Sequence, residues 1–159
     1  MGRASHLDES GRARMVDVSA KKPTRRRAVA GGEVSFNEEA YDALRANRLA
    51  KGDALAVVRL AGLQAAKRTA EWIPLCHVVP LDHLEVEIEL DEEERTAVVS
   101  GAAEARWSTG VEMEALVAVS AACLALYDMA KSLDRAIRIG DIRLLEKSGG
   151  RSGSFTAER

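Results

Sequence analysis

The side chains best placed for chemistry in this 159-residue chain are an acid and a base three residues apart, Asp128 and Lys131. At about 100° per residue, Val117, Ala121, Leu124, Asp128 and Lys131 share one stripe of a helix. A carboxylate and an ammonium thus continue an apolar face, where desolvation costs about several kcal/mol per ion. These are the residue types that general acid–base catalysis uses. The plainer reading is an exposed i,i+3 ion pair at a frayed helix end, worth roughly a few tenths of a kcal/mol, and spacing alone leaves both open. A second group is cationic: Lys21, Lys22, Arg25, Arg26 and Arg27. It reads as a solvated basic loop or strand edge, or as an arm that closes over a polyanion. So compact a cluster, in a chain of net charge −2, suits a small phosphate ligand better than a long duplex. A third is the stretch from Lys147 to Gly153, whose glycines would let backbone N–H groups wrap phosphates, although the order of a Walker A loop is absent. Cys76-His77, with His83 nearby, invites a metal reading. Zinc sites need three or four ligands at recognisable spacing, which the chain lacks, so a backbone and imidazole contact to a polar ligand is favoured and no metal site is expected.

The elements that would carry these groups follow from periodicity. From Ala115 to Tyr127 there is neither a charge nor a proline, so the Asp128/Lys131 pair ends a helix that is apolar all round and therefore buried. The run is shorter than the roughly 20 apolar residues that span a bilayer. Thr109 suits its N-cap, with Glu112 reaching back to complete a capping box. Upstream, Met15 to Ser19 forms an apolar island able to dock as a strand. Gly31-Gly32 reads as a turn and Val34 to Phe36 as a short strand. Asn37 caps a helix from Glu38 to about Asn47, and Asp53 caps a second that runs towards Thr69. Lys67 and Arg68 lie near its C-terminus, where cations suit the helix dipole, so their placement has a structural explanation. His83 to Leu90 alternates Leu84, Val86, Ile88 and Leu90 with glutamates, the pattern of a half-buried strand. A polar turn over 91–94 returns the chain as a hairpin partner over 95–107. A last extended segment runs from Ile137 to about Lys147, interrupted at Gly140.

The order strand, two helices, hairpin, long helix, strand gives an α+β two-layer sandwich of the ferredoxin-like kind, with helices on one face of an antiparallel sheet. Residues 1–14 and 148–159 are expected as flexible tails around one catalytic domain over 15–147. So apolar a long helix would be hard to cover within one layer, which predicts a homo-oligomer. Slight acidity and few aromatics argue against a nucleic-acid module. The two cysteines lack CxxC spacing, and no apolar leader or membrane span is seen, which points to a cytoplasmic protein with reduced thiols.

In sequence the chain resembles the molybdenum cofactor biosynthesis protein C family, the cyclic pyranopterin monophosphate synthases. The segments that carry the likeness are 15–21 (MVDVSAK), 51–53 (KGD), 61–69 (AGLQAAKRT), 73–77 (IPLCH), 109–115 (TGVEMEA), 127–129 (YDM) with Lys131, and Leu144 with 147–150 (KSGG). They run in order through nearly the whole chain. Val78, Ala130 and Arg151 stand where members carry proline, cysteine and lysine.

The resemblance implies conversion of (8S)-3′,8-cyclo-7,8-dihydroguanosine 5′-triphosphate to cyclic pyranopterin monophosphate and pyrophosphate. It also implies a hexamer built as a trimer of dimers with sites at subunit interfaces, and a substrate supplied by an upstream radical enzyme. On that basis Lys131 is expected to act as general acid/base, Asp128 as its partner and Lys51 as a third catalytic residue. Leu75, Cys76, His77, Met113 and Glu114 are expected to bind the purine-derived ring, with Glu114 accepting from its N–H groups. Glu112 is a further candidate or only a helix cap. Lys67 and Lys147, with Lys21 and Arg25, are candidate phosphate contacts. No cofactor is implied, and magnesium with the triphosphate stays open. A non-catalytic triphosphate-binding scaffold is the alternative: it would use the same cations and need no acid/base pair.

Overall fold

The computed structural model describes residues 10–151 and 153–158, so the expected N-terminal tail lies for the most part outside the described residues. The elements are β1 (Thr24–Ser35), α1 (Glu38–Arg45), α2 (Ala54–Ala66), α3 (Thr69–Trp72), β2 (His83–Asp91), β3 (Thr96–Trp107), α4 (Glu112–Ala130), β4 (Arg138–Ser148) and β5 (Phe155–Thr156). The strands form one antiparallel sheet in the order β2-β3-β1-β4-β5. With the two-residue β5 set aside, this is the βαββαβ ferredoxin-like sandwich, with helices largely on one face. Asn37 accepts from the Ala40 N–H at 2.8 Å, and Asp53 from the Ala56 N–H at 3.1 Å, so both predicted caps are formed.

Several local expectations are corrected. Strand β1 is twelve residues long, not three, and Gly31-Gly32 lies inside it. A Cβ on Gly32 would sit 2.8 Å from Val119 Cγ1, and one on Gly101 of β3 would sit 3.0 Å from Val119 Cγ2. The glycines let α4 settle onto the sheet, the use of strand glycine that marks close backbone approach. Arg25, Arg26 and Arg27 therefore lie near the start of strand β1 and not in a loop: all three pair with β3, and β4 joins only from Arg27. Met15 to Ser19 forms no strand. The second helix stops at Ala66 and a separate turn, α3, follows. In β4, Asp141 has a φ of 50° and the pairing with β1 shifts register between Gly31 and Glu33, so the predicted interruption at Gly140 is a bulge inside a continuous strand. Beyond Ser148, the segment expected as a tail pairs Phe155 and Thr156 with Lys147 and Glu146.

Helix α4 starts at Glu112, with Val111 at its N-cap and no side-chain cap bond, so neither the Thr109 cap nor the capping box forms. Its full 19 residues are long and apolar enough to cross a bilayer, longer than the uncharged run suggests, but the apolar stretch is 61% buried inside the fold. It packs on α2 on one side and on β1, β3 and β4 on the other. The protomer thus covers most of α4 by itself. Among the described residues, the large apolar groups left exposed on the helices are Val57, Leu60, Trp72 and Leu124.

Gly62 sets the α2–α4 distance. A Cβ there would lie 2.9 Å from the Ala118 carbonyl and 3.0 Å from Val86 Cγ2. Alanine would gain about 1 kcal/mol of helix propensity but collide with a backbone that cannot rotate away, and overpacking costs about 1–3 kcal/mol. Gly62→Ala is expected to be net destabilising by about 1 kcal/mol, measurable as a lower urea midpoint. A raised midpoint would show that the two helices separate freely.

Candidate active site

The predicted site residues gather at the two ends of α4. At the N-terminal end is a cleft of about 500 Å³. Its floor is Glu112, Met113 and Glu114 from the first turn of α4, and one wall is Leu75, Cys76 and His77 from the loop that Pro74 starts after α3. The opposite wall is the segment bearing Val16, Val18 and Lys21, of which only Lys21 was singled out in the sequence.

That segment is held at both ends. His77 Nε2 lies 2.8 Å from the Val16 carbonyl oxygen, and Ser108 Oγ donates to the Lys21 carbonyl at 3.0 Å. A carbonyl only accepts, so His77 donates through a proton on Nε2. The apolar island at Met15 to Ser19 thus docks as a strap along the cleft.

Glu114 is the buried acid of the cleft, 4% exposed. Burial pushes its carboxyl up to about 7, against the pull of its own backbone N–H, and neighbouring Glu112 adds to the rise. The Cys76 thiol is also pushed up, first by burial and then by Glu114. A thiol held protonated is a poor nucleophile, so Cys76 reads as a contact residue. Glu112 faces Lys147, whose Nζ lies 3.7 Å from Oε1. Lys67 caps α2 and shares a smaller hollow with His77 and Glu114, adjoining the cleft.

Strand alternation separates the arginines. Arg25 and Arg27 bind Glu104 at 2.9 and 3.2 Å. Arg26, on the other face of β1, donates to the carbonyls of Trp107 and Ser108 at 3.4 and 3.5 Å, just before the cleft residue Thr109. A side chain on Gly150 would overlap the Arg26 guanidinium, and one on Gly149 the Arg25 carbonyl. The chain after Lys147 is therefore laid across Arg26, which sequence reasoning placed in the basic cluster but not at the site. Period-two alternation along β1 would have found it, had the strand been recognised. In this protomer the exposed Arg25 guanidinium pairs with Glu104.

At the other end of α4, Asp128 accepts from two lysines. Lys131 Nζ is 2.8 Å from Oδ1 and Lys51 Nζ is 2.5 Å from Oδ2, with Lys51 also 2.8 Å from the Asp128 carbonyl. The expected burial is not found in the protomer: the three side chains are 45–54% exposed. The stripe runs from buried Val117 and Ala121 to exposed Leu124 before it reaches them. Hydrogen bonds from Lys131 and then Lys51 hold the Asp128 carboxyl at about 2, and Asp128 raises Lys131 in return. Lys131 therefore stands here as an ammonium. Fourteen residues separate Glu114 from Asp128, which is about 21 Å along the helix. One protomer does not bring the cleft and the lysine cluster together. Among the described residues, no three His, Cys, Asp or Glu side chains converge as a metal site.

Glu114 makes stability depend on pH. Its folded carboxyl lies above the ordinary 4.5, at about 7, so the folded state holds the proton more tightly and stability falls as pH rises between those values. Glu114→Gln removes this dependence. Its melting temperature should match wild type below pH 4.5, exceed it increasingly up to about pH 7, and keep a constant margin above. Parallel curves in a thermal-shift series would show that Glu114 is not buried as an acid.

Comparison with known proteins identifies the family. The model of the MoaC family matches residues 15–150. The chain is 51% identical over 158 residues to a cyclic pyranopterin monophosphate synthase of Thermomicrobium roseum, covering 99% of this chain and 95% of that protein. It is 53% identical over 155 residues to the synthase of Roseiflexus sp. (strain RS-1), covering 98% of each. It is also 49% identical over 151 residues to molybdenum cofactor biosynthesis protein 1 of Bos taurus, covering 95% of this chain and 24% of that protein. A match that spans both walls of the cleft and the lysine cluster places the chain in the MoaC family.

Proposed function

We propose that this protein is a cyclic pyranopterin monophosphate synthase of molybdenum cofactor biosynthesis, a phosphorus–oxygen lyase. Its substrate would be (8S)-3′,8-cyclo-7,8-dihydroguanosine 5′-triphosphate and its products cyclic pyranopterin monophosphate and pyrophosphate. The observation that carries the reading is the 51% identity to a synthase along nearly the full length of both chains. The carbon–carbon bond already present in that substrate calls for a radical enzyme upstream.

The cleft has the chemistry for the purine-derived ring. Apolar walls from Leu75 and Met113 suit a flat ring, and ionised Glu114 suits the paired N–H donors of a guanine-like edge. Because Glu114 binds such donors as a carboxylate, ring binding strengthens as pH rises through about 7. Lys21 in the cleft wall, Lys147 beside Glu112 and Lys67 in the adjoining hollow would serve as triphosphate contacts. In the closing step a ribose-derived hydroxyl forms a bond to the α-phosphorus, and the bridging oxygen leaves with pyrophosphate. Cations that meet the charge as it develops lower that barrier.

Lys131 would deliver and recover protons during ring opening and closure, Asp128 would orient it, and Lys51 would share that carboxylate and stabilise negative charge. Ammonium is the form in which Lys131 stands beside Asp128, so it enters as the acid. Helix α4 keeps these groups from their own protomer's cleft, which supports a site completed between copies, in a hexamer arranged as a trimer of dimers. Exposed Val57, Leu60 and Leu124 supply apolar surface for such contacts. A cytoplasmic location belongs to the same reading.

Single-turnover conversion, following pyrophosphate and the cyclic phosphate product together, tests the assignment. Wild type should form both. Lys131→Ala and Asp128→Asn should each lose about 10²–10⁴-fold in rate with unchanged circular dichroism. Full turnover in both variants would remove the lysine cluster from the mechanism. Tight substrate binding without product in wild type would point instead to a triphosphate-binding scaffold.

A further inference from the structure

Asp134 is one of the few buried charged side chains, 7% exposed, and the chemistry above gives it no part. Its carboxylate is fully engaged: Oδ2 accepts from the Asn37 backbone N–H at 2.7 Å, and Oδ1 from the Ala136 N–H at 2.8 Å. Asn37 answers with its side-chain amide, which donates to the Leu133 carbonyl at 3.2 Å. Asn37 is also the N-cap of α1. The end of α4 and the beginning of α1 are thus tied by two hydrogen bonds, both made by Asn37, while the Ala136 bond fixes the Asp134 carboxylate within its own segment.

Both sides of this tie lead to the lysine cluster. On one side, Lys131 is the C-cap of α4, and the Leu133 and Asp134 N–H groups donate to the Ala130 carbonyl at 2.9 and 3.2 Å. On the other side, α1 leads through Asn47, at a φ of 51°, and buried Leu49 to Lys51. The cluster cannot hold itself in place. Its side chains are about half exposed, and ion pairs between such groups contribute about 0–1 kcal/mol while long side chains lose rotamer freedom. Whatever fixes Lys51 and Lys131 relative to each other must be the backbone beneath them. Carboxylate bonds to backbone N–H groups in a buried site are among the stronger hydrogen bonds available for that.

We propose that Asp134 is a positioning residue for the reaction, fixing the backbones that carry Lys131 and Lys51 so that both ammonium groups converge on Asp128. This rests on the reading of that cluster as catalytic. Asparagine at 134 would leave an NH₂ facing one of the two N–H donors, so it breaks half of the clasp. Displacement of about 1 Å in a catalytic group can lower a rate 10²-fold.

The test uses the full-length enzyme, assayed well below each variant's unfolding midpoint and normalised to folded protein. Asp134→Asn is expected to lower kcat about 10- to 100-fold while KM stays within about twofold, since the ring-binding cleft lies at the far end of α4. Asn37→Ser retains a capping oxygen but loses the bond to Leu133, so it should lower kcat in the same sense by a smaller factor. It also decides the matter if Asp134→Asn does not fold. A purely structural role would lower the unfolding midpoint of both variants and leave kcat per folded molecule unchanged, which overturns the inference. So does a rise in KM at constant kcat. Lys131→Ala, run in parallel, separates the failures. If it still turns over, the reading of the cluster has failed and this inference with it. If Lys131→Ala is dead while both junction variants keep wild-type kcat, only the positioning role is wrong.

Discussion

Helix α4 fixes a distance that the rest of the molecule must accommodate. Its 19 residues span about 28 Å, with a buried middle and reactive groups only at the ends. The burial is possible because small residues face it. Ala28, Ala30 and Gly32 on β1, and Gly101, Ala103 and Ala105 on β3, let the helix lie close to the sheet. Gly62 does the same on the α2 side. A helix clamped this way cannot bend to bring its two ends together, so within one chain the cleft around Glu114 and the lysines around Asp128 stay apart.

The two ends of α4 are electrostatic opposites, and a carboxyl group at each shows it. Glu114 is a buried carboxylic acid with no ion pair to a cation among the described residues, and its proton is held to about pH 7. Asp128 is a wet carboxylate between two ammonium groups and ionises at about 2. Desolvation governs the first and hydrogen-bonded cations the second. The first arrangement suits recognition of a neutral, donor-rich ring edge. The second suits proton delivery and the stabilisation of departing phosphate. A substrate with a guanine-derived ring at one side and a triphosphate at the other needs both kinds of environment.

Much of this was legible in the sequence because it rests on local rules. Asn37 and Asp53 announce their helices by capping chemistry, and β2 announces itself by alternation. The element order then leaves few topologies besides the ferredoxin-like one. The misreadings share a cause, which is that tertiary contact overrode a local signal. Gly31-Gly32 looks like a turn until α4 is placed above it. Thr109 looks like a cap, yet the helix begins three residues later. Asp128 and Lys131 share a stripe with buried Val117 and Ala121, but within the protomer that stripe leaves the core at Leu124, beyond the Ala65 and Ile73 that pack on Val117 and Ala121. The cleft's second wall, from Val16 to Lys21, was legible only as an apolar island. Its place depends on His77 and Ser108, 61 and 87 residues away in sequence.

Whether two copies complete one site is tested most directly by mixing inactive subunits. Glu114→Ala lacks the ring contact and Lys131→Ala lacks the proton donor, so homogeneous preparations of either should be inactive. Dissociated and reassembled at equal amounts, a site drawing its two halves from different copies is intact when each half comes from the other variant. With random assembly of a two-copy site this gives about one quarter of wild-type activity. Recovery near that level is the predicted result. No recovery, from oligomers shown by mass spectrometry to contain both variants, would mean that each chain works with its own two half-sites and would contradict the account.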